Sequence, residues 1–538
     1  MLNYQPKGTI GDRSSNGSTS SLSDEGDDYE HHNWQDRSNG KAMQVWQKPI
    51  VRQYFHKGLL WRAQEAQEVA SYELFIDLFY VAIIATSGDT AAEDPTGQAL
   101  VRFAITFTIA WKFWTDLTQG ISWFDQDDVV RRFEVLFMLT CLLGMTINIT
   151  DGWDLTYTAL ISFYIASRWF SSIFFLWMAW LIPGVRPAMI GSAITTFLPS
   201  ILWIGSTHVP QPARQALIWT AIPLDIFGPT ILVLVERGMI PFMTDRCADW
   251  CKRTFEFMPG SNIEHKIERT NAFVSLVFGY SVVSLLYQSA APVGLNAFFG
   301  KAVLGLIQAF AFNWLYFEVD TFNIHVHAIR RHFFSAFVWL SAHLPFVMAF
   351  VLAGSALAKI VLATDCADAD VRDLQAVYAQ KSLDVVPMGL RWYYCAGLAI
   401  ALFCMGIISL THTYKIASDV KLGKPYRVAL RFAASVAILL LPLAKERLNS
   451  LHLVATTTGI TLVVLFVELV GSSCIQITTW YNWKGQDERK KCTYAARCHV
   501  SGKELEEKFK NGEIVKMEEV AKREHHGKGG AHEGCNTV

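Results

Sequence analysis

Charged side chains are scarce in this sequence: Asp, Glu, Lys and Arg make up 18% of 538 residues and nearly cancel, for a formal net charge of -1. The Lys and Arg present are scattered, which excludes nucleic acid as a partner, because phosphate binding rests on massed positive charge. The ten Cys sit mostly alone in apolar runs, as at Cys141, Cys395, Cys404 and Cys474. A thiol there acts as a small hydrophobe, so no disulfide framework is expected. Cys492, Cys498 and His499 lack the second ligand pair that a closed zinc site needs, and no metal or other cofactor is expected. No Walker loop, GxSxG, HExxH or strand-linked GxGxxG occurs, so an enzyme of a known motif class is unsupported. Residues 1–45 hold no apolar core, so no cleavable signal peptide is expected and the first span should direct insertion. The terminal CNTV departs from a prenylation box at Asn536 and Thr537.

What is abundant is apolar surface, at 51% of residues with 13% aromatics and a mean hydropathy of +0.24. That composition predicts an all-α polytopic transmembrane bundle in the lipid bilayer. Apolar stretches of roughly 18 to 27 residues recur, each long enough to cross about 30 Å of hydrocarbon at 1.5 Å per residue. They lie near 72–90, 98–122, 130–150, 155–181, 187–206, 215–236, 268–290, 296–319, 332–358, 390–412, 426–444 and 450–474, giving about twelve spans.

Base-rich connections alternate with poor ones. Arg131 and Arg132, Arg186, then Arg237 to Lys266, then Arg330 and Arg331, then Lys415 to Arg427 fall on one side, and the acidic 359–389 loop on the other. The positive-inside rule therefore puts both termini in the cytoplasm, in the plasma membrane or an endomembrane. Lys445 and Arg447 run against the pattern. Asn148-Ile-Thr is a sequon on the outer side. The expected organisation is a disordered cytoplasmic tail over 1–50, a first half over 51–236, a connection over 237–267, a second half over 268–475 and a charged cytoplasmic tail over 476–538. Glu73 with Glu268, Trp111 with Trp314, and Arg131-Arg132 with Arg330-Arg331 each recur about 200 residues apart, which suggests two parallel six-helix halves.

The residues that could carry chemistry are acids at membrane depth, where lipid disfavours a carboxylate by a few kcal/mol unless it is paired, hydrated or neutral. Glu73 and Asp77 are four apart and share a helix face. Asp116, Glu134, Asp225, Glu268, Glu318, Asp320 and Glu468 add to them, with Arg168 as the obvious counter-ion. Each has a plain alternative. Glu73 is placed to answer a helix dipole, Arg168 to act as a static clamp, and Asp225 to be a satisfied residue beside a proline kink rather than part of a broken helix at Gly228-Pro229. His343 is a candidate proton relay or a packed histidine. His325, His327 and His332 around Arg330 and Arg331 resemble a solvated interface more than a metal site.

The stretches ELFIDLFYVAII, IERTNAFVSLVFGYSVV, NWLYFEVD and AHLPFVMAFVLAGSAL make the chain similar to the low temperature requirement A (LtrA) family of multi-pass membrane proteins, in its fungal form, over roughly residues 65 to 475. The resemblance places Glu73 and Asp77 on the acidic first-span motif, Glu268 on the Glu-Arg opening of the seventh, and His343 on Ala-His-Leu-Pro. Many such proteins continue Gly-Glu where this chain has Gly279-Tyr280, so a second carboxylate is missing here. The family name records a growth phenotype and implies no reaction. The leading expectation is a secondary transporter or ion-conducting protein, with a proton or another cation held by Glu73 and Asp77 between the halves. The rivals are a sensor or scaffold whose tails recruit partners, and an intramembrane enzyme using Asp77 and His343 as acid and base.

Overall fold

The computed structural model describes residues 44–56, 59–62, 71–126, 128–150, 152–153, 155–239, 244–288, 294–319, 324–414 and 420–473. The zinc reading at Cys492, Cys498 and His499, the carboxylate of Asp320, the side chain of His325 and most of both expected tails lie outside these residues.

Among the described residues, twelve long helices stand where apolar runs predict them. They are α1 (Ser71–Glu93), α2 (Gly97–Trp123), α3 (Val129–Ile147), α4 (Tyr157–Leu181), α5 (Arg186–His208) and α6 (Ala213–Glu236), then α8 (Ile263–Gln288), α9 (Ala297–Trp314), α11 (Phe333–Val361), α13 (Met388–Thr411), α14 (Lys424–Leu440) and α15 (Ser450–Ser472). Short helices α7 (Asp245–Thr254), α10 (Ala328–Arg331) and α12 (Ala376–Ala379) lie between them. Side chains close several N-termini: Thr96 accepts from Ala99 N, Asp128 from Arg131 N, Asn296 from Phe299 N and Asn449 from His452 N. Such caps satisfy backbone donors that lipid cannot. Asp225 sits between Pro223 and Pro229 in a helix that runs unbroken from Ala213 to Glu236.

Among the described residues, ten helices are long and apolar enough to cross a membrane. The two expected spans outside that set are α2, with Arg102, Lys112 and Asp116, and α3, with Arg131, Arg132 and Glu134. Composition scores these charges as a cost; the fold offsets it by pairing Lys112 with Asp116 and Arg131 with Glu134. On α1, Leu74, Phe75 and Leu78 face outward while Ile76, Asp77 and Tyr80 face in. An apolar exterior around a polar interior needs lipid as its solvent, and the protein is an integral multi-pass membrane protein.

The centre is α11 packed on α13, with α1, α8 and α2 against α11. Gly397 makes that contact possible: a Cβ there would come within 2.6 Å of Ala349 O. Small residues at helix crossings are the usual means of close approach in membranes. Glu73 meets His265, Asp77 meets Arg269, and Asp89 meets Tyr280, at separations of 192, 192 and 191 residues. Such a constant separation means that α1 and α8 run parallel and in register. Six neighbour pairs of the first six long helices recur in the second six: α1·α2, α1·α3, α2·α6, α3·α4, α4·α5 and α5·α6 match α8·α9, α8·α11, α9·α15, α11·α13, α13·α14 and α14·α15.

The strands among the described residues all lie at the end of the bundle where α1 begins, called here the base. β1 (Ile50–Val51) pairs with β4 (Phe124–Asp125), β2 (Gln53–His56) lies between β3 (Leu59–Arg62) and β5 (Phe257–Pro259), and β6 (Ile324–Val326) pairs with β7 (Thr413–Tyr414), all antiparallel. The expected tail boundary at residue 50 thus falls within a paired segment. Asp128 fixes it, accepting from Gln47 N at 2.8 Å as well as from Arg131 N.

Candidate functional site

Two polar networks are buried at membrane depth. The first joins α1 to α8. One turn of α1 presents Glu73 and Asp77, and one turn of α8 presents His265 and Arg269 at the same i, i+4 spacing, so acids face bases across the interface. His265 Nε2 lies 2.9 Å from Glu73 Oε2. Arg269 Nη2 donates to Asp77 Oδ1 at 2.8 Å, its Nη1 lies 2.8 Å from Oδ2, and its Nε lies 3.5 Å from Glu73. Trp114 Nε1 of α2 also donates to Asp77 Oδ1, at 2.9 Å. All four charged or titratable side chains are at most 2% exposed. Nothing in this cluster is open to a solute: each acid is received by a base.

The second network joins α2, α4 and α6. Asp116 is bound on one oxygen by Lys112 Nζ and on the other by Arg168 Nη1. Arg168 Nη2 reaches Asp225 Oδ1 at 2.8 Å, while Tyr164 OH and Trp203 Nε1 donate to Asp225 Oδ2 at 3.0 and 2.8 Å. Asp116, Asp225 and Arg168 sit about 10, 16 and 20 Å along their helices from the base, at 1.5 Å per residue. Arg168 is shared between the two acids. Asp225 is fully satisfied and releases no helix carbonyls.

A cavity of about 340 Å³ opens beside the second network. It lies between α2, α6, α8 and α11, and Asp116, Lys112, Lys266, Trp114, Trp339 and His343 are in its wall. Two further cavities lie nearer the base. A 60 Å³ space shares Asp116 with it and reaches Glu236, and a 510 Å³ space shares Glu236 and is bounded by Arg237, Lys252 and Glu256. On the far side, Tyr280 OH donates to Asp89 at 2.9 Å and lies 2.6 Å from Ser355 Oγ, tying α1, α8 and α11 together. Tyr280 stands where the family resemblance implies a carboxylate.

His343 is buried. Its Nδ1 donates to Trp339 O at 2.7 Å, which leaves Nε2 to accept from Tyr316 OH at 2.9 Å. Asp77 and His343 share no hydrogen bond, so the acid and base of an intramembrane enzyme are not brought together. Glu268 and Glu318 are exposed and join neither network. Glu134 pairs with Arg131 at 2.5 Å, and Glu468 with Arg427 and Arg431 at 2.6 and 2.7 Å. At the base, His327, His332 and His412 accept backbone N–H groups of Ile329, Phe334 and Ala328 through Nδ1. Among the described residues, no group of three or more His, Cys, Asp or Glu could hold a metal ion.

The residues missed by sequence reasoning are the partners: Lys112, Trp114, Tyr164, Trp203, His265, Lys266 and Arg269. Three carried a signal. His265 and Arg269 repeat the four-residue spacing of Glu73 and Asp77, and Lys112 stands four before Asp116 in a span.

Neither a curated protein nor a solved structure matches the chain. The sequence profile described as bacterial low temperature requirement A protein (LtrA) matches residues 68–470. That match covers most of the chain and every buried network above, and the protein belongs to the LtrA family.

Proposed function

We propose that the protein is a secondary transporter with two parallel six-helix halves, its substrate cavity lying between them and Asp116 serving as the coupling carboxylate. In this reading the base faces the cytoplasm, as its Lys and Arg favour. The observation that carries it is the 340 Å³ cavity at membrane depth, walled by α2 and α6 of one half and α8 and α11 of the other, with Asp116 at its edge. Its size falls in the ordinary range for small-molecule sites. In this reading the cavities that share Asp116 and Glu236 form the route to the base, and the contacts of Tyr280 with Asp89 and Ser355 hold the other side closed. A site open on one side at the seam between repeats is the arrangement that alternating access requires. Glu73 and Asp77, sealed by His265 and Arg269, hold α1 to α8 and are not the ion site. Asp116 is better placed, because its charge is shared with Lys112 at the cavity wall and with Arg168 behind it.

Liposomes with purified protein and a pH-sensitive dye test this reading. A potassium diffusion potential in the presence of a mixed panel of amino acids, carboxylates and amines should drive proton movement. Asp116→Asn should lower the rate at least tenfold while the variant still elutes as folded protein. No protein-dependent flux, or an Asp116→Asn rate equal to wild type, overturns the reading.

A further inference from the structure

The charges around the cavity do not balance. Three cations, Lys112, Arg168 and Lys266, stand against two carboxylates, Asp116 and Asp225. Both oxygens of Asp116 are already engaged, and Asp225 accepts from Arg168, Tyr164 and Trp203. Lys266, in the first turns of α8, lines the cavity and makes no ion pair with any described residue. The Glu73 and Asp77 carboxylates lie behind the Trp114 indole, committed to Arg269 and His265. A cation entering the cavity would therefore meet two ammonium groups and a carboxylate with no free oxygen. Three indoles stand in the wall beside these charges: Trp111 and Trp114 lie 5.2 Å apart at a 39° tilt, and Trp339 comes from α11. Indole faces receive an apolar body, and an ammonium at their edge receives a charge.

We propose that this cavity binds a small organic anion, its carboxylate or phosphate group held by Lys266 and its apolar body lying among Trp111, Trp114 and Trp339. The inference deepens the transport reading and rests on it for what the site is used for. A volume of 340 Å³ equals roughly eleven waters at about 30 Å³ each, enough for a compact aromatic acid. The same headgroup chemistry belongs to an anionic lipid, since Phe227 and Leu340 in the cavity wall are partly exposed at the bundle surface.

The test is equilibrium binding, with no gradient, to the full chain in phosphatidylcholine nanodiscs. 4-Phenylbutyrate and 4-phenylbutylamine share a body and differ in the sign of charge. Phenylbutyrate should bind saturably by calorimetry and raise Tm, with the amine at least tenfold weaker. Lys266→Met should erase that preference, and Lys266→Arg should restore it. Replacing part of the phosphatidylcholine with phosphatidic acid distinguishes the sources: at least a tenfold loss of phenylbutyrate affinity identifies a lipid headgroup as the natural occupant, and an unchanged affinity identifies a soluble anion. Equal or tighter binding of the amine, a Lys266→Met preference equal to wild type, or no saturable binding of phenylbutyrate with no effect of phosphatidic acid on Tm overturns the inference. Anion binding without flux in liposomes would leave the site standing and remove transport. Flux without anion binding would do the reverse.

Discussion

At the scale of single residues, the acids that stand out in the sequence divide by who receives them. Asp77 invites use as a transport probe, because it lies deep in the first span. Its carboxylate is instead enclosed by Arg269 and Trp114 at 1% exposure. Removing one partner of a buried pair costs about 3–5 kcal/mol, since the other charge is left in a low dielectric. Asp77→Asn should therefore lower Tm sharply and cut folded yield, whereas Asp77→Asn with Arg269→Leu should recover much of the loss. A double variant no more stable than Asp77→Asn would show that the pair is not what holds α1 to α8. The sequence made the acids legible because hydrocarbon rejects them wherever they occur. It did not reveal which were sealed, because pairing depends on helices 192 residues apart meeting in register. Glu268 was singled out and faces outward, while its neighbour Arg269 makes the contact. One position along a helix is a turn of 100°, and the motif alone does not say which face is inside.

At the scale of elements, the twelve long helices were legible from apolar runs, with boundaries within a few residues of those expected. The base was not legible. Strands of two to four residues carry too little alternation to be read, and their partners come from segments far apart in sequence. Of the three histidines that read as a solvated interface, His327 and His332 cap short structure, their Nδ1 atoms accepting backbone N–H groups, and the side chain of His325 lies outside the described residues. The rings of His327 and His412 lie 4.5 Å apart, tilted by 60°. Burial, with Arg330 nearby, pulls His327 from 6.5 down to about 4. Burial, then His327, Lys424 and His343, pulls His412 down to about 3. Both bind a proton more readily in the unfolded chain, so native stability falls as pH drops below about 6.5, by up to about 1.4 kcal/mol per pH unit for each. The loss is complete below about 4 for His327 and about 3 for His412. A proton on His412 Nδ1 would also displace the Ala328 N–H it accepts at 3.1 Å. His412→Asn keeps an acceptor and removes the titration. Between pH 6.5 and 4.5 the Tm of wild type should fall more steeply than that of His412→Asn, and parallel slopes would assign the acid sensitivity to other groups.

At the scale of the whole molecule, the repeated helix neighbours carry unlike chemistry. The second, fourth and sixth helices of the first six are tied by Asp116, Arg168 and Asp225. Their counterparts α9, α13 and α15 are tied by neutral groups, with Tyr394 OH donating to Gln308 at 2.9 Å and lying 2.8 Å from Thr457. The contact that is charged in the first six helices is thus neutral in the second, and the transport reading requires movement of one set against the other. The aromatic pair Phe227 of α6 and Phe337 of α11 spans the cavity wall with ring centroids 6.2 Å apart. Phe137 of α3 and Phe170 of α4 make a comparable pair, 4.6 Å apart, within the first six helices. With the exposed Cys247 replaced, cysteines at 227 and 337 joined by a cleavable bifunctional thiosulfonate should stop flux in liposomes, and reduction should restore it. The same treatment at 137 and 170 should leave most of the flux intact. Rocking of two rigid bodies requires this asymmetry, because only the first cross-link bridges them. Equal tolerance of both links would mean that the seam between the sets does not move, and equal loss would mean that each set deforms internally.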